Sequence, residues 1–399
     1  MNIALVSQEY PPETAKGGIG TQTYLKAHGL TRLGHSVLVI SRSTDSERLE
    51  YRDGKVDVVR LPATPMAVYT EAADWLSHSH AVAVELANQS VSRGLDLVDF
   101  PEWGAEGYLH LLNQTDWNRT ANVVHLHGPL VMLSHTLGWP ESDSLFYRIG
   151  SHMEQICLQL ADGIFSSSHC SADWCARCYG LAREGIPRLH SGIDTVHFSP
   201  RNVPKAAQRT IVFAGKIVRN KGVELLFDAA CRLRSEFPDL RLRMLGGGEQ
   251  ETIERLQNRA SRRGTEELLQ LPGYIDHAAL PTELSQAHLF AAPSQYEGGP
   301  GFVYLEAMAC GLPVIACRGS GAAETITEGE TGLLVAPNDV ESLTTALRRL
   351  LVDRQVRESI GKQARRFVLQ QADTKRCIEK IADFYHQVIA TVRSKRKQQ

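Results

Sequence analysis

The chain is 399 residues long, 43% hydrophobic and 22% charged, with a formal net charge of −2 and a pI near 6.7. That length predicts two domains of roughly 200 residues each. The near-neutral balance excludes the basic face of a nucleic-acid binder, and no apolar run reaches the roughly 20 residues of a membrane span.

In the first half, apolar runs at Ile3 to Ser7, Ser36 to Ile40, Val56 to Leu61, Leu95 to Phe100, Asn122 to Leu126 and Gly163 to Ser167 lack polar alternation. Such runs suit strands buried on both faces, hence a parallel sheet covered by helices. The first run reads as a strand and not as a signal peptide, so a cytoplasmic protein is expected. The eight cysteines then read as free thiols. His169, Cys170, Cys175 and Cys178 cluster, but only the last two have a usual zinc spacing, and residues 171–179 read as a helix.

Apolar residues at helical spacing from Ile19 to Leu33 predict a helix that Gly34 stops. Gly17, Gly18 and Gly20 therefore fall at a strand-to-helix turn, where a tight turn and a ligand contact both remain open readings. Their place at the carboxyl edge of the first strand favours a ligand. Glu102 and Trp103 follow another strand, where a carboxylate and an aromatic face suit a sugar. His125 and His127 alternate onto one side of the next strand, with His127 nearer its open end. The proline-rich stretch from Pro187 to Pro204 reads as a linker, with the boundary near residue 200.

A second alternation follows, with strands expected near Thr210, Leu240, Leu268, His288, Leu312 and Gly332. Lys216 and Lys221 flank the turn into its first helix, and Gly246 opens a glycine run at the next strand end. Beside a helix start, two ammonium groups suit a diphosphate. From Ser294 to Ile315 a loop carries Glu297 and four glycine or proline positions, and a short helix then carries Glu306 until Gly311 stops it. Bare N–H groups at that helix start attract phosphate or sugar oxygens, and a carboxylate on it can accept from vicinal hydroxyls. The closing stretch from Asp373 to Arg393 has apolar residues at helical spacing. The basic residues after it read first as a solvated tail, with contact to an anionic membrane as the second reading.

Together Gly17-Gly-Ile-Gly20, Gly192 to Pro200, Gly215 to Gly222, Leu245-Gly-Gly-Gly, Leu271 to Ile275, Glu297 to Gly311 and Gly332 to Val335 resemble a family 4 retaining glycosyltransferase. The resemblance implies the GT-B fold: two Rossmann-like parallel-sheet α/β domains, residues 1–200 for the acceptor and 201–373 for the nucleotide sugar, facing across a cleft. It also implies that a last helix, residues 374–399, crosses back to the first domain. By the same resemblance Glu306 holds the donor ribose, Lys216 and Lys221 neutralise the diphosphate, and Gly301, Phe302 and Val303 contact diphosphate and sugar. Glu297 approaches that sugar, His127 lies beside the reacting carbon, and Tyr274 and Ile275 line the base pocket, with Gly17, Gly18, Gly20 and Gly246 also on the donor. One departure stands out: eight residues separate Glu297 from Glu306 where the family usually has seven.

The chemistry this predicts is hexosyl transfer from a nucleoside-diphosphate sugar, UDP before GDP, to a glycan, lipid-linked or small-molecule hydroxyl. Retention is commonly drawn in the family as same-face attack, with no metal and no further cofactor. The alternatives are a sugar-nucleotide epimerase or phosphorylase of the same fold, or a non-catalytic sugar-nucleotide-binding protein.

Overall fold

The computed structural model describes residues 1–12, 18–45, 47–62, 73–115 and 120–396. It divides into two compact units: residues 1–192 together with the segment from Thr374 onward, and Ile193–Asp373.

In the first unit the strands are β1 (Asn2–Val6), β2 (Ser36–Arg42), β3 (Leu49–Asp53), β4 (Val56–Leu61), β5 (Leu97–Pro101), β6 (Ala121–Leu126) and β7 (Gly163–Ser166). The helices are α1 (Gly18–Arg32), α2 (Ala73–Arg93), α3 (Tyr108–Leu112), α4 (Leu130–Leu137), α5 (Leu145–Leu160) and α6 (His169–Tyr179). The second unit holds strands β8 (Thr210–Ala214), β9 (Arg241–Leu245), β10 (Leu269–Gly273), β11 (Leu289–Ala292), β12 (Val314–Cys317) and β13 (Gly332–Val335). Its helices are α7 (Val223–Leu233), α8 (Gln250–Arg262), α9 (Leu280–Gln286), α10 (Phe302–Ala309), α11 (Val340–Val352) and α12 (Arg354–Gln371); α13 (Thr374–Arg396) returns to the first unit.

Both sheets are wound alike. The first runs β3-β4-β2-β1-β5-β6-β7 and the second β10-β9-β8-β11-β12-β13. Without β3, each has its first strand at the centre, the second and third to one side and the fourth to sixth to the other, with parallel pairing throughout. This is the doubly wound dinucleotide-type order, whose ligands lie beyond the carboxyl ends at the point where winding reverses. Those reversal points are β1/β5 and β8/β11.

The sequence carries no buried-strand signal for β3, and the reason is visible in its exposure. Its five residues are exposed or half-buried, and it pairs antiparallel with β4 at the sheet edge through a turn at Gly54. The overlooked local sign is Asp53-Gly54, a common hairpin pair. The boundary also moves. Gly192 is the last residue of the first unit, because Ile193 and Phe198 are buried in the second core. The chain leaves the first unit at Gly192, not near residue 200.

Helix α13 is built into the first core. Ile378, Ile381, Tyr385, Val388, Ile389 and Val392 are buried with Ile3, Leu5, Val37, Val39 and Phe165. The Tyr385 hydroxyl donates to the Asp99 carboxylate on β5, which also pairs with Lys26 of α1. Gly29 of α1 faces Ile378 so closely that a β-carbon there would lie 2.7 Å from it, which lets the two helices pack tightly. No helix of the described residues is long and apolar enough to cross a membrane.

Candidate functional site

At the second reversal point, the loops after β8 and β11 are stitched together. Gln295 N–H donates to the Asn220 carbonyl at 3.0 Å, and Lys221 Nζ pairs with Glu297 Oε1 at 2.6 Å. Gly321 N–H donates to the Glu297 carbonyl at 2.9 Å, tying the loop to the turn after β12. Lys216 stands exposed on the β8 loop. The glycines after β9 have a steric cause: a β-carbon on Gly246, where φ is +143°, would overlap the Gly215 carbonyl oxygen of the neighbouring loop. That approach lets Gly215 N–H reach the Leu245 carbonyl and Ile217 N–H reach that of Gly247, at 2.9 and 2.8 Å.

Helix α10 starts on Gly301, whose φ of +65° suits only glycine in comfort. A β-carbon there would also come within 2.6 Å of the Tyr304 ring and 2.8 Å of Ala322. Phe302 and Val303 form the first helical turn, half-buried against the core. Of the eight residues between the two glutamates, four lie in the loop before the helix and four on its first turn. Glu306 thus sits on the second turn of α10, and Glu297 ends beside Lys221.

Glu306 is 8% exposed, and burial pushes its carboxyl up to about 7. Its carboxylate accepts no hydrogen bond from any described residue; the nearest cation candidate is His277 Nε2 at 3.9 Å. The His277 ring stacks on His197 at 5.0 Å and meets the edge of Phe198, so residues 197–198 support the loop beside Glu306. Sequence reasoning missed this pair, which no spacing rule joins across 80 residues. Tyr274, at 79% exposure, and the half-buried Ile275 begin the same loop.

In the first unit, His127 lies at the end of β6, half-buried, its ring centroid 3.9 Å from that of His125. Burial, with the Lys26 ammonium second, pushes His127 down to about 3. Two buried carboxylates hold the backbone around it. Glu102 Oε1 accepts from the N–H groups of His127 (2.6 Å) and Gly128. Glu154 accepts from Leu130 N–H at 3.0 Å and from the Tyr179 hydroxyl at 2.7 Å. The expectation that Glu102 and Trp103 face a sugar is therefore corrected. Glu102 is 0% exposed, with Oε1 given to backbone and Oε2 buried without a partner among the described residues, and Trp103 packs edge-on against Trp75.

Helix α1 contributes what the sequence reading passed over. Gln22 and Lys26, one turn apart on its buried side, reach His127 Nδ1 (3.2 Å) and Asp99 respectively. The available sign was two long polar residues at i, i+4 within an otherwise small and apolar stripe. Gly18 and Gly20 lie in the first turn of α1, with Gly20 N–H 3.4 Å from Glu9 Oε2; Gly17 lies outside the described residues. On α6, Cys175 is buried and Cys178 exposed, and His169 Nδ1 accepts from Arg183 at 2.7 Å. Among the described residues no three potential metal ligands gather.

Known proteins agree with this frame. Residues 16–197 match the pattern of Glycosyltransferase Family 4, and residues 197–367 that of Glycosyl transferases group 1. The chain is 30% identical to a GDP-mannose-dependent alpha-(1-6)-phosphatidylinositol monomannoside mannosyltransferase of Mycolicibacterium smegmatis, over 92% of this chain and 94% of the relative. It is 26% identical to a glycogen synthase of Mycobacterium tuberculosis, over 100% and 97%. Among solved structures, sucrose-phosphate synthase from Thermosynechococcus elongatus superposes with a TM-score of 0.83 at 23% identity, covering 98% of this chain and 99% of that one. Anabaena HepE in complex with UDP superposes at 0.76 and 19% identity, over 97% and 100%. The shared winding of the two sheets and the full-length match to these relatives lead to one conclusion: the chain belongs to the family 4 glycosyltransferases and is a glycosyltransferase of the GT-B fold.

Proposed function

We propose that the chain moves a hexosyl group, with retention, from a nucleoside-diphosphate sugar to a hydroxyl acceptor. The observation that carries this is the β8/β11 edge. There an uncommitted buried carboxylate, Glu306, sits on a glycine-started helix beside the Lys221–Glu297 pair. Glu306 accepts from the ribose hydroxyls, Lys216 and Lys221 take the diphosphate, and the N–H groups of Phe302 and Val303 add to its stabilisation. Preorganised charges and dipoles of this kind usually contribute more than any other effect to the rate of such transfers. Glu297, Tyr274, Ile275 and His127 keep the roles the family resemblance implies.

In the proposed step the anomeric carbon's bond to the phosphate oxygen breaks while its bond to the acceptor oxygen forms on the same face. The acceptor proton passes to the departing phosphate. The 30% relative is named for GDP-mannose, and it matches over nearly all of this chain, so GDP-mannose ranks before the UDP sugars as donor. The same name favours a lipid-linked acceptor.

The test is a panel of sugar nucleotides given to the purified protein, with the liberated nucleoside diphosphate measured with and without chelator. Release from one donor, unchanged by chelator, with retained configuration in the product by NMR, is the expected result. A released sugar inverted at a ring carbon other than the anomeric one would point instead to an epimerase, and binding without release to a non-catalytic protein. Lys221→Met is expected to cost about a hundredfold in turnover. Because its ion pair is partly exposed, at 27% and 15%, the same change costs about 1 kcal/mol of stability or less.

A further inference from the structure

Four polar side chains from three separate segments of the first unit form an unbranched chain. His125 Nε2 lies 2.8 Å from Ser167 Oγ, Ser167 Oγ lies 3.2 Å from Gln22 Oε1, and Gln22 Nε2 lies 3.2 Å from His127 Nδ1. Such a chain has two polarities, since a hydroxyl and an amide can each donate in either direction and each imidazole has two tautomers. The far end decides between them. Nδ1 of His125 is buried and has no hydrogen-bond partner among the described residues. The ring is 1% exposed and stacked on Phe165 at 4.1 Å.

Were the proton on that nitrogen, a buried N–H would be orphaned, which is rarer in folded proteins than an unused acceptor. The proton therefore sits on His125 Nε2 and donates to Ser167, whose hydroxyl donates to Gln22 Oε1. The Gln22 amide then donates to Nδ1 of His127. With Nδ1 accepting, the neutral ring of His127 carries its proton on Nε2, which has no partner among the described residues. The backbone of His127 is fixed independently by Glu102.

We propose that Gln22 is a positioning residue that holds His127 in its Nε2–H tautomer, so that His127 meets a bound sugar oxygen as a hydrogen-bond donor and not as a base. The sugar part of this proposal rests on the role given to His127 under the proposed function; the tautomer part does not. The consequence is chemical. A histidine whose two nitrogens are an occupied acceptor and an N–H cannot take the acceptor's proton, which leaves that proton to the departing phosphate.

The test is a two-bond proton–nitrogen correlation spectrum of the full chain labelled with 15N-histidine, the His127 signals being identified by their loss in His127→Asn. The wild type is expected to show a pyrrole-type Nε2 and a pyridine-type Nδ1. Gln22→Glu places a carboxylate opposite Nδ1 and is expected to draw a proton there, with turnover falling about tenfold and donor KM unchanged. Gln22→Met, which offers no amide, is expected to give a mixture of tautomers, and it stands in should the glutamate variant fold poorly. A pyrrole-type Nδ1 in the wild type, or a tautomer indifferent to both Gln22 variants, overturns the proposal. A tautomer that shifts while turnover stays constant removes the contact between His127 and the sugar, and so counts against the functional reading on which that half depends.

Discussion

Glu102 and Glu306 make an instructive pair. Each follows a sheet's carboxyl edge, each is almost fully buried, and burial lifts each carboxyl to about 7. Glu102 gives one oxygen to two backbone N–H groups, while Glu306 accepts nothing from the described residues. A committed carboxylate shapes the fold; an uncommitted one is placed for something that arrives with hydroxyl groups. The contrast extends to the loops around them. In the first unit, buried carboxylates from the turn after β5 and from α5 hold the residues from 127 to 130, whereas in the second unit backbone reaches backbone because glycine removes the β-carbon.

The strongest challenge to that contrast is Gly246→Ala. With a positive φ and no room beside Gly215, it is expected to cost about 4 kcal/mol in denaturant unfolding, equally at pH 5 and pH 8. A loss below about 1 kcal/mol would mean that the glycine run serves a ligand alone.

Next come the two carboxylates themselves. Glu306→Gln is expected to weaken nucleotide binding about a hundredfold by calorimetry, the scale of lost hydrogen bonds to a charged group. Glu102→Gln should leave nucleotide affinity alone and change the pH dependence of stability instead. The Glu102 carboxyl rises from 4.5 to about 7 on folding, so the folded state holds its proton more tightly. Its contribution is full below the unfolded value and is lost as pH rises towards 7. The wild type should therefore lose about 3 kcal/mol relative to Glu102→Gln between pH 4.5 and 8. Equal pH profiles would remove Glu102 from the comparison.

A smaller effect sharpens the same point. Tyr179→Phe takes one donor from the buried Glu154 carboxylate and is expected to cost about 2 kcal/mol. Nucleotide binding, measured alongside, should not change.

Most of the frame was legible because strands buried on both faces write themselves as runs of Val, Ile and Leu. The run at β4 matches the structure end to end, and β8 and β13 begin at Thr210 and Gly332, where strands are expected. Strand β3 was not legible, since an exposed edge strand carries no such run. At the site, Glu306 could be read from its helix and the loop before it. Glu102 could not be told from it, because what separates them is hydrogen bonds made by residues 25 and 26 positions away in the chain. The partners of Lys221 and His127, 76 and 105 residues distant, were equally out of reach of local pattern. Gln22 was hidden further by lying within a helix whose apolar spacing was already explained.

Because α13 supplies part of the first core, the order of synthesis and the order of completion run opposite ways. The second unit is closed once Asp373 has joined Ile193, where Ile193 N–H meets the Ala372 carbonyl at 2.9 Å and the Thr195 hydroxyl meets Asp373 at 2.5 Å. The first unit, begun earlier on the ribosome, still lacks Ile381, Tyr385 and Val392 at that moment. Its central sheet must wait with one side bare, so a nascent chain halted near residue 373 should carry a finished C-terminal unit and an N-terminal one open to chaperones.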